Sequence, residues 1–240
     1  MQDEQDMKKR REEKVKKEIL DAAIKLFYLK EFNDISIHDI SDTTILSRTT
    51  IYKYFHHGKD EIYFVLGTIM FEMANKNLKE QILVEEKSGI DQFLGLCEFT
   101  FDQATPFIFA ILRYFYNRMN IKKLNLENWY QEVADSYETP RFKELRQKIS
   151  PEEPYLVDFY AEIQQTANLW GKAIEKGKKD GTITNTLETE QILQYVNSTI
   201  TGIIEQTLLR SQTTLHRIGL EKGPIREYSL KLIRIFLEMK

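Results

Sequence analysis

Apolar residues recur along this chain at three- and four-residue intervals and almost nowhere in alternation, a pattern that predicts helices rather than strands. A polar stretch from Met1 to Lys14, expected to be mobile, precedes the first amphipathic helix, which carries Val15, Ile19, Ala22, Ala23, Leu26 and Phe27 on one side. Ser36 and Asp39 have the spacing of a capping box, which opens a short second helix burying Ile37 and Ile40. The pattern breaks from Thr43 to Leu46. Ser47 then caps a third short helix, with Ile51, Tyr54 and Phe55 as its apolar positions. Lys59 and Asp60 begin a long fourth helix through Ile62, Val65, Leu66, Ile69, Met70 and Met73 toward Leu83.

Downstream, Ser88 starts a helix with Ile90, Phe93, Leu94, Cys97 and Phe101 on one side, and Thr105-Pro106 starts another toward Tyr116. The stretch from Asn120 to Ser150 is least regular and reads as one or two helices parted near Thr139-Pro140. Ser150-Pro151 opens a helix to Lys179 that Gly181 closes. Leu187 to Arg210 is helical by the spacing of Ile192, Val196, Thr199, Ile200 and Ile203, and Gly223-Pro224 begins a last helix ending near Met239. The expected fold class is all-α.

Composition agrees: 10 Gly and 5 Pro in 240 residues leave long segments unbroken. The net charge of −3 excludes a uniformly basic nucleic-acid coat, but the charge is unevenly placed. Seven basic residues lie between Lys8 and Lys17 against Glu12 and Glu13, and no acidic residue occurs from Thr43 to Lys59. A lone cysteine, Cys97, cannot close an intramolecular disulfide and reads as a small buried hydrophobe. The longest apolar stretch, Pro106 to Leu112, is far short of a membrane span, and the N-terminus is too charged for a secretory signal. A cytoplasmic protein without membrane or cofactor is expected.

Three short helices, the last two joined by a tight turn, are the parts of a helix-turn-helix, whose third helix enters the major groove. The segment Ser47-Arg48-Thr49-Thr50-Ile51-Tyr52-Lys53-Tyr54-Phe55 supplies two anchors, Ile51 and Phe55, and a set of donors without negative charge. Arg reads guanine in bidentate fashion, Thr offers a hydroxyl and a methyl suited to thymine, and Lys and hydroxyls serve phosphate.

The series Ile19-Leu20-x-Ala22-Ala23-x-x-Leu26-Phe27, Ser36-Ile37-x-Asp39-Ile40, Leu46-Ser47-x-x-Thr50-Ile51-Tyr52-x-Tyr54-Phe55 and Lys59-Asp60-Glu61-Ile62 resembles the N-terminal domain of the tetracycline-repressor (TetR) family. The resemblance implies a DNA-reading domain over 1–58 and a helical ligand-binding and dimerisation domain over 59–240. It puts Tyr52, Tyr54 and Lys59 at the DNA backbone and Arg48, Thr49, Thr50 and Lys53 on or near bases. Ser36, Thr44, Ser47 and His56 complete the expected DNA-facing set. Three departures stand out. Thr44-Ile45 occupies a turn where the family has a small residue and Gly or Asn, so a left-handed backbone there would strain a β-branched side chain. An extra residue in His56-His57-Gly58 leaves open a slip of one at Lys59, and Glu31-Phe32 replaces the Gly that often follows the first helix. More loosely, Ile174-Glu175-x-Gly177-x-x-Asp180-Gly181-x-Ile183, with the helix containing Thr199 and Gly202, resembles the helices that pair between protomers. The alternative is that these residues fill the core of one chain. Two reading heads would match a pseudo-palindromic operator on double-stranded DNA, so a homodimer is expected.

The resemblance also implies a small-molecule effector in the helical domain. From the surplus of aromatics the candidate lining is Phe99, Phe109, Tyr116, Trp129 and Trp170, with Arg113 as a charged contact. Arg113 meets a ligand carboxylate, pairs with Asp102 or Glu98, or runs to solvent. Three rival readings are an enzyme, a helical carrier or interaction protein, and a regulator that answers to a protein partner or to nothing. The four His show no metal-ligand spacing, and neither a phosphate loop nor a nucleophile elbow occurs. The carrier differs from a regulator in predicting no salt-dependent DNA binding.

Overall fold

The computed structural model describes residues 2–30, 32–103, 105, 108, 110–112, 114, 153–209 and 222–239. Among them every regular element is helical: α1 (Gln2–Leu29), a 3₁₀ turn (Phe32–Asp34), α2 (Ile37–Thr44), α3 (Arg48–Tyr54), α4 (Lys59–Asn77), α5 (Gly89–Gln103), α6 (Pro154–Asp180), α7 (Thr189–Leu209) and α8 (Lys222–Leu237). The fold is all-α, as the periodicity predicts. α4 runs on into one wide π turn, Leu78–Ile82, closed by the Leu83 N–H donating to the Leu78 carbonyl at 3.0 Å. The irregular stretch from Asn120 to Ser150 lies outside the described residues.

The expected mobile arm is helix instead, for α1 begins at Gln2. Glu, Gln, Lys, Arg and Met are strong helix formers, and Glu4, Glu12 and Glu13 each stand four residues before a Lys, the favourable order. Absence of apolar periodicity removes a reason to pack, not a reason to be helical.

Packing groups the chain into two compact units. One compact unit comprises Met1–Met70 with Ala110–Ala161, the other Phe71–Phe109 with Glu162–Lys240, so α4 and α6 each contribute to both. In the first, Ile19, Ala23, Phe27, Ile35, Ile40, Ile51, Phe55 and Ile62 are buried and hold the three short helices together. An aromatic group continues this core: Tyr63 stacks on Phe32 at 4.3 Å and meets Phe27 edge-on at 4.9 Å, while Phe64 meets Phe159 at 5.3 Å. Tyr114 packs on Phe32 at 4.5 Å, and its hydroxyl donates to Asp60 at 2.9 Å. Part of the aromatic surplus therefore supports the N-terminal helices.

In the second unit α5, α6, α7 and α8 enclose a core of Phe93, Leu96, Cys97, Trp170, Ile174, Ile183, Ile192, Val196, Ile200, Ile233 and Leu237. Close approach fixes how α5 begins. A Cβ on Gly89 would stand 1.9 Å from the Gly177 nitrogen, so only glycine fits. The free N–H groups at that helix start are satisfied from the far end of α6: Gly89 donates to the Asp180 carboxylate at 2.8 Å and Ile90 to the Thr182 hydroxyl at 3.1 Å. The Ile174–Ile183 element, which resembles a protomer-pairing segment, thus works as a clasp within one chain. Two arginines of α8 hold its outer edge. Arg226 forms a fork with Asp102 at 2.9 and 3.0 Å and reaches Glu98 at 3.4 Å, and Arg234 reaches Asp91 at 3.2 Å.

Candidate nucleic-acid interface

The reading head begins at α2. Ser36 completes a capping box, its hydroxyl accepting the Asp39 N–H at 3.2 Å while its own N–H donates to the Asp39 carboxylate at 2.8 Å. The Ser36 hydroxyl, followed by Lys30 at 2.9 Å, holds the Asp39 carboxyl well below the usual carboxylate range. Ser47 caps α3 by accepting the Thr50 N–H at 3.1 Å, and its hydroxyl shares a 2.8 Å hydrogen bond with that of Thr50. Both cap serines are exposed, so they mark the helix starts that face outward.

The turn between α2 and α3 departs from ordinary residue preference. Ile45 is left-handed (φ 63°, ψ 5°) and 98% exposed. A β-branched residue there costs roughly 1–2 kcal/mol, so the surroundings must impose it. They do so through two hydroxyls. Ser41 donates to the Leu46 carbonyl at 2.6 Å, and Thr44 accepts the Leu46 N–H at 3.3 Å while donating to the Ile40 carbonyl at 3.0 Å. The turn has the left-handed form despite Thr44-Ile45.

This geometry corrects one expectation. Thr44, placed in the DNA-facing set, is 4% exposed and its hydroxyl is spent on the turn, so it shapes the head from inside.

On α3, Ile51 is fully buried and fixes the helix on its support. Arg48, Thr49, Tyr52 and Lys53 are exposed; Thr50 and Tyr54 are half-buried, with the Lys53 ammonium 5.7 Å from the Tyr54 ring centroid. His56 is exposed in the following turn. Gly58 ends that turn at φ 65°, where a Cβ would come within 3.1 Å of the Tyr52 ring, and α4 begins directly after it at Lys59. Lys59 is differently placed. Its ammonium donates to the carbonyls of Phe32 (2.9 Å) and Ile35 (2.8 Å) and lies 4.4 Å from the Phe32 ring centroid. Two of its three protons serve the head itself.

Of the candidate ligand residues, Phe99 and Trp170 are described: Trp170 is buried in the core of the second unit, edge-on to Phe93 at 5.3 Å, and Phe99, partly buried, packs against that core. Phe109, Arg113, Tyr116 and Trp129 lie outside the described residues. Two alternative partners of Arg113, Asp102 and Glu98, are engaged by Arg226. Burial pushes the Cys97 thiol well above its usual range, which makes it inert. Among the described residues no group of His, Cys, Asp and Glu could hold a metal ion, and no helix is long and apolar enough to cross a membrane.

The outer face of α8 was not legible as a candidate site. Tyr228, Leu232 and Ile235 are all more than half exposed and form a single stripe on α8, beside the arc that buries Ile233 and Leu237. The signal is present in the i, i+4, i+7 spacing, but a broad apolar arc reads equally as a deeply buried helix. On α7 the neighbouring exposed residues are Gln191, Tyr195, Ser198 and Gly202, with Tyr195 stacked on Phe236 of α8 at 4.3 Å.

Residues 19–66 match the model of the bacterial regulatory proteins of the tetR family. No curated protein matches the chain. Several solved structures share its fold along nearly all its length. The fatty acid degradation regulator FadR from Bacillus halodurans is 15% identical, with 91% of this chain and 97% of that chain covered and a TM-score of 0.56. FadR from Bacillus subtilis, solved in complex with stearoyl-CoA, has the same identity and coverage and a TM-score of 0.55. The TetR family transcriptional regulator PfmR from Thermus thermophilus is 17% identical, with 92% and 99% covered and a TM-score of 0.54. Over residues 19–66 the chain thus resembles the tetR family of bacterial regulatory proteins, and along nearly all its length it shares the fold of these solved structures.

Proposed function

We propose that this chain is a dimeric, sequence-specific DNA-binding repressor, retuned on its operator by a small-molecule effector, and not an enzyme. The observation that carries the reading is α3 itself. It is a helix held by a buried Ile51 and a Ser47 cap, presenting Arg48, Thr49, Tyr52 and Lys53 to solvent with no acidic residue from Thr43 to Lys59. An acid-free run of donors at the start of an anchored helix suits base edges and phosphates, and has little use in a packed core.

One such head covers too little duplex for tight binding, and two related by a two-fold axis match a pseudo-palindrome. The Tyr228–Leu232–Ile235 stripe with the Tyr195–Gly202 side of α7 supports pairing through α7 and α8 of two copies. An effector is supported by the complex of the Bacillus subtilis regulator of this fold with stearoyl-CoA. Which molecule this chain accepts is a separate matter, approached by ligand-induced stabilisation.

The test is binding of purified protein to labelled DNA from upstream of its own gene, titrated with salt and random-sequence competitor. Competitor-resistant binding at two protomers or a multiple per site, falling steeply with salt, is expected. Binding of upstream and random DNA alike would remove sequence reading from the proposal, and salt-insensitive or absent binding would favour a helical carrier.

A further inference from the structure

The first seventeen residues of α1 take no part in the reading described so far. From Gln2 the helix runs about 25 Å before its first fully buried residue, Ile19. Met7 is the only apolar side chain between Gln2 and Lys14, and it is half exposed, so packing does not account for this extension. Its charge does the distinguishing. Positions 8 to 17 hold Lys8, Lys9, Arg10, Arg11, Lys14, Lys16 and Lys17 against Glu12 and Glu13, a net of +5 in a chain whose total is −3. Of the seven, only Lys17 touches a carboxylate among the described residues, Asp21 at 2.6 Å.

The place where this extension leaves the head matters as much as its charge. Lys14, Lys17 and Lys25 line a surface groove with Glu18, Asp21 and Ala22 of the same helix and with Thr43 and Thr44, at the C-terminal end of α2. Thr44 opens the short turn that leads through Ile45 and Leu46 to Ser47 and Arg48 at the start of α3. The basic end of α1 therefore emerges beside the turn that delivers the recognition helix, and Lys8 stands about 9 Å farther along the axis than Lys14.

We infer that the N-terminal half of α1 is a second DNA contact, a basic helical arm that tracks the phosphates flanking the site read by α3. The inference rests on the regulator reading and adds to it a footprint wider than the helix-turn-helix alone. The arm supplies affinity and register but no base preference, because lysine and arginine spread around a helix meet a uniform backbone charge.

The test replaces Lys8, Lys9, Arg10 and Arg11 by Gln in the full chain, with circular dichroism to confirm unchanged helicity. The slope of log affinity against log salt should become shallower by about two to four units per protomer, with binding roughly ten- to a thousand-fold weaker at fixed salt. The order of preference among operator variants should stay the same, and the footprint should retract at its flanks. Trimming those flanks from the duplex should reduce the wild-type slope to that of the variant. Parallel slopes for the two proteins, with operator preference intact in both, would overturn the arm and leave the regulator standing. Binding of the arm to phosphatidylserine vesicles with an unchanged DNA slope would overturn it too. Failure of the wild-type protein to prefer its operator would remove the regulator reading, and the arm with it, before any variant is made.

Discussion

The Lys59 ammonium donates to the Phe32 carbonyl at 2.9 Å and sits 4.4 Å from the centroid of the same residue's ring, tying the first turn of α4 to the 3₁₀ turn after α1. A lysine at this position is expected from the family resemblance to hold DNA phosphate. Its placement here makes it a strut of the head, with one proton left for an outside partner.

Lys59→Ala should therefore lower stability by about 1–3 kcal/mol, since two carbonyls of the head lose a charged donor. The salt slope of DNA binding should flatten by less than about one unit. Paired thermal melts and salt titrations check both, and a full-unit change in slope without loss of stability would return Lys59 to the phosphate contacts.

Arg48 lies at the first position of α3 with its side chain exposed. Arg48→Ala should cost about 1–3 kcal/mol in operator binding and relax preference at one base position in each half-site. Competition among operator variants measures the second effect. Weaker binding with unchanged preference would make Arg48 a phosphate contact.

Ile45 is the strained point of the head and contributes no burial. Ile45→Asn, which tolerates a left-handed backbone, should raise stability by about 1 kcal/mol and leave DNA affinity within about twofold. A gain in melting temperature with a large loss of DNA binding would show instead that the exposed isoleucine touches DNA.

Asp180 couples the end of α6 to the start of α5, and the Thr182 hydroxyl, then the Gly89 N–H, lowers its carboxyl from the ordinary range. A carboxyl with a lowered folded pKa adds stability above its unfolded value of 3.8, and that stability is lost as pH falls through the folded value. Asp180→Asn should reduce the melting temperature at neutral pH and shrink the decline below about pH 4, as followed by helicity. Gly89→Ala at the same junction should cost more than about 3 kcal/mol, because the added methyl meets backbone rather than a movable side chain.

Leu232→Asp and Ile235→Asp probe the outer face of α8 without entering the core, as both side chains are well exposed in the single chain. If that face pairs two copies, either variant should shift the protein to monomer in sedimentation and weaken operator binding, while helicity holds. A dimer that survives both changes would move the interface off α8.

Much of the head was legible from residue spacing. The cap serines, the buried Ile37, Ile40 and Ile51, and the acid-free run on α3 are local properties, set by which side chains can satisfy a helix end or face a core. The side of a helix that a residue occupies follows from its spacing alone. What spacing does not contain is the identity of the neighbour across a gap. Thr44 looks like an outward hydroxyl until the turn folds over it and uses it for the Leu46 N–H. Lys59 looks like a free cation until the chain returns past it and offers two carbonyls. The same limit hid the outer stripe of α8, since apolar residues around most of a helix do not say which arc another part of the chain will cover. Local propensity and capping are decided within a turn or two of sequence. The direction of the Lys59 ammonium and the uncovered face of α8 are decided only when segments distant in sequence meet.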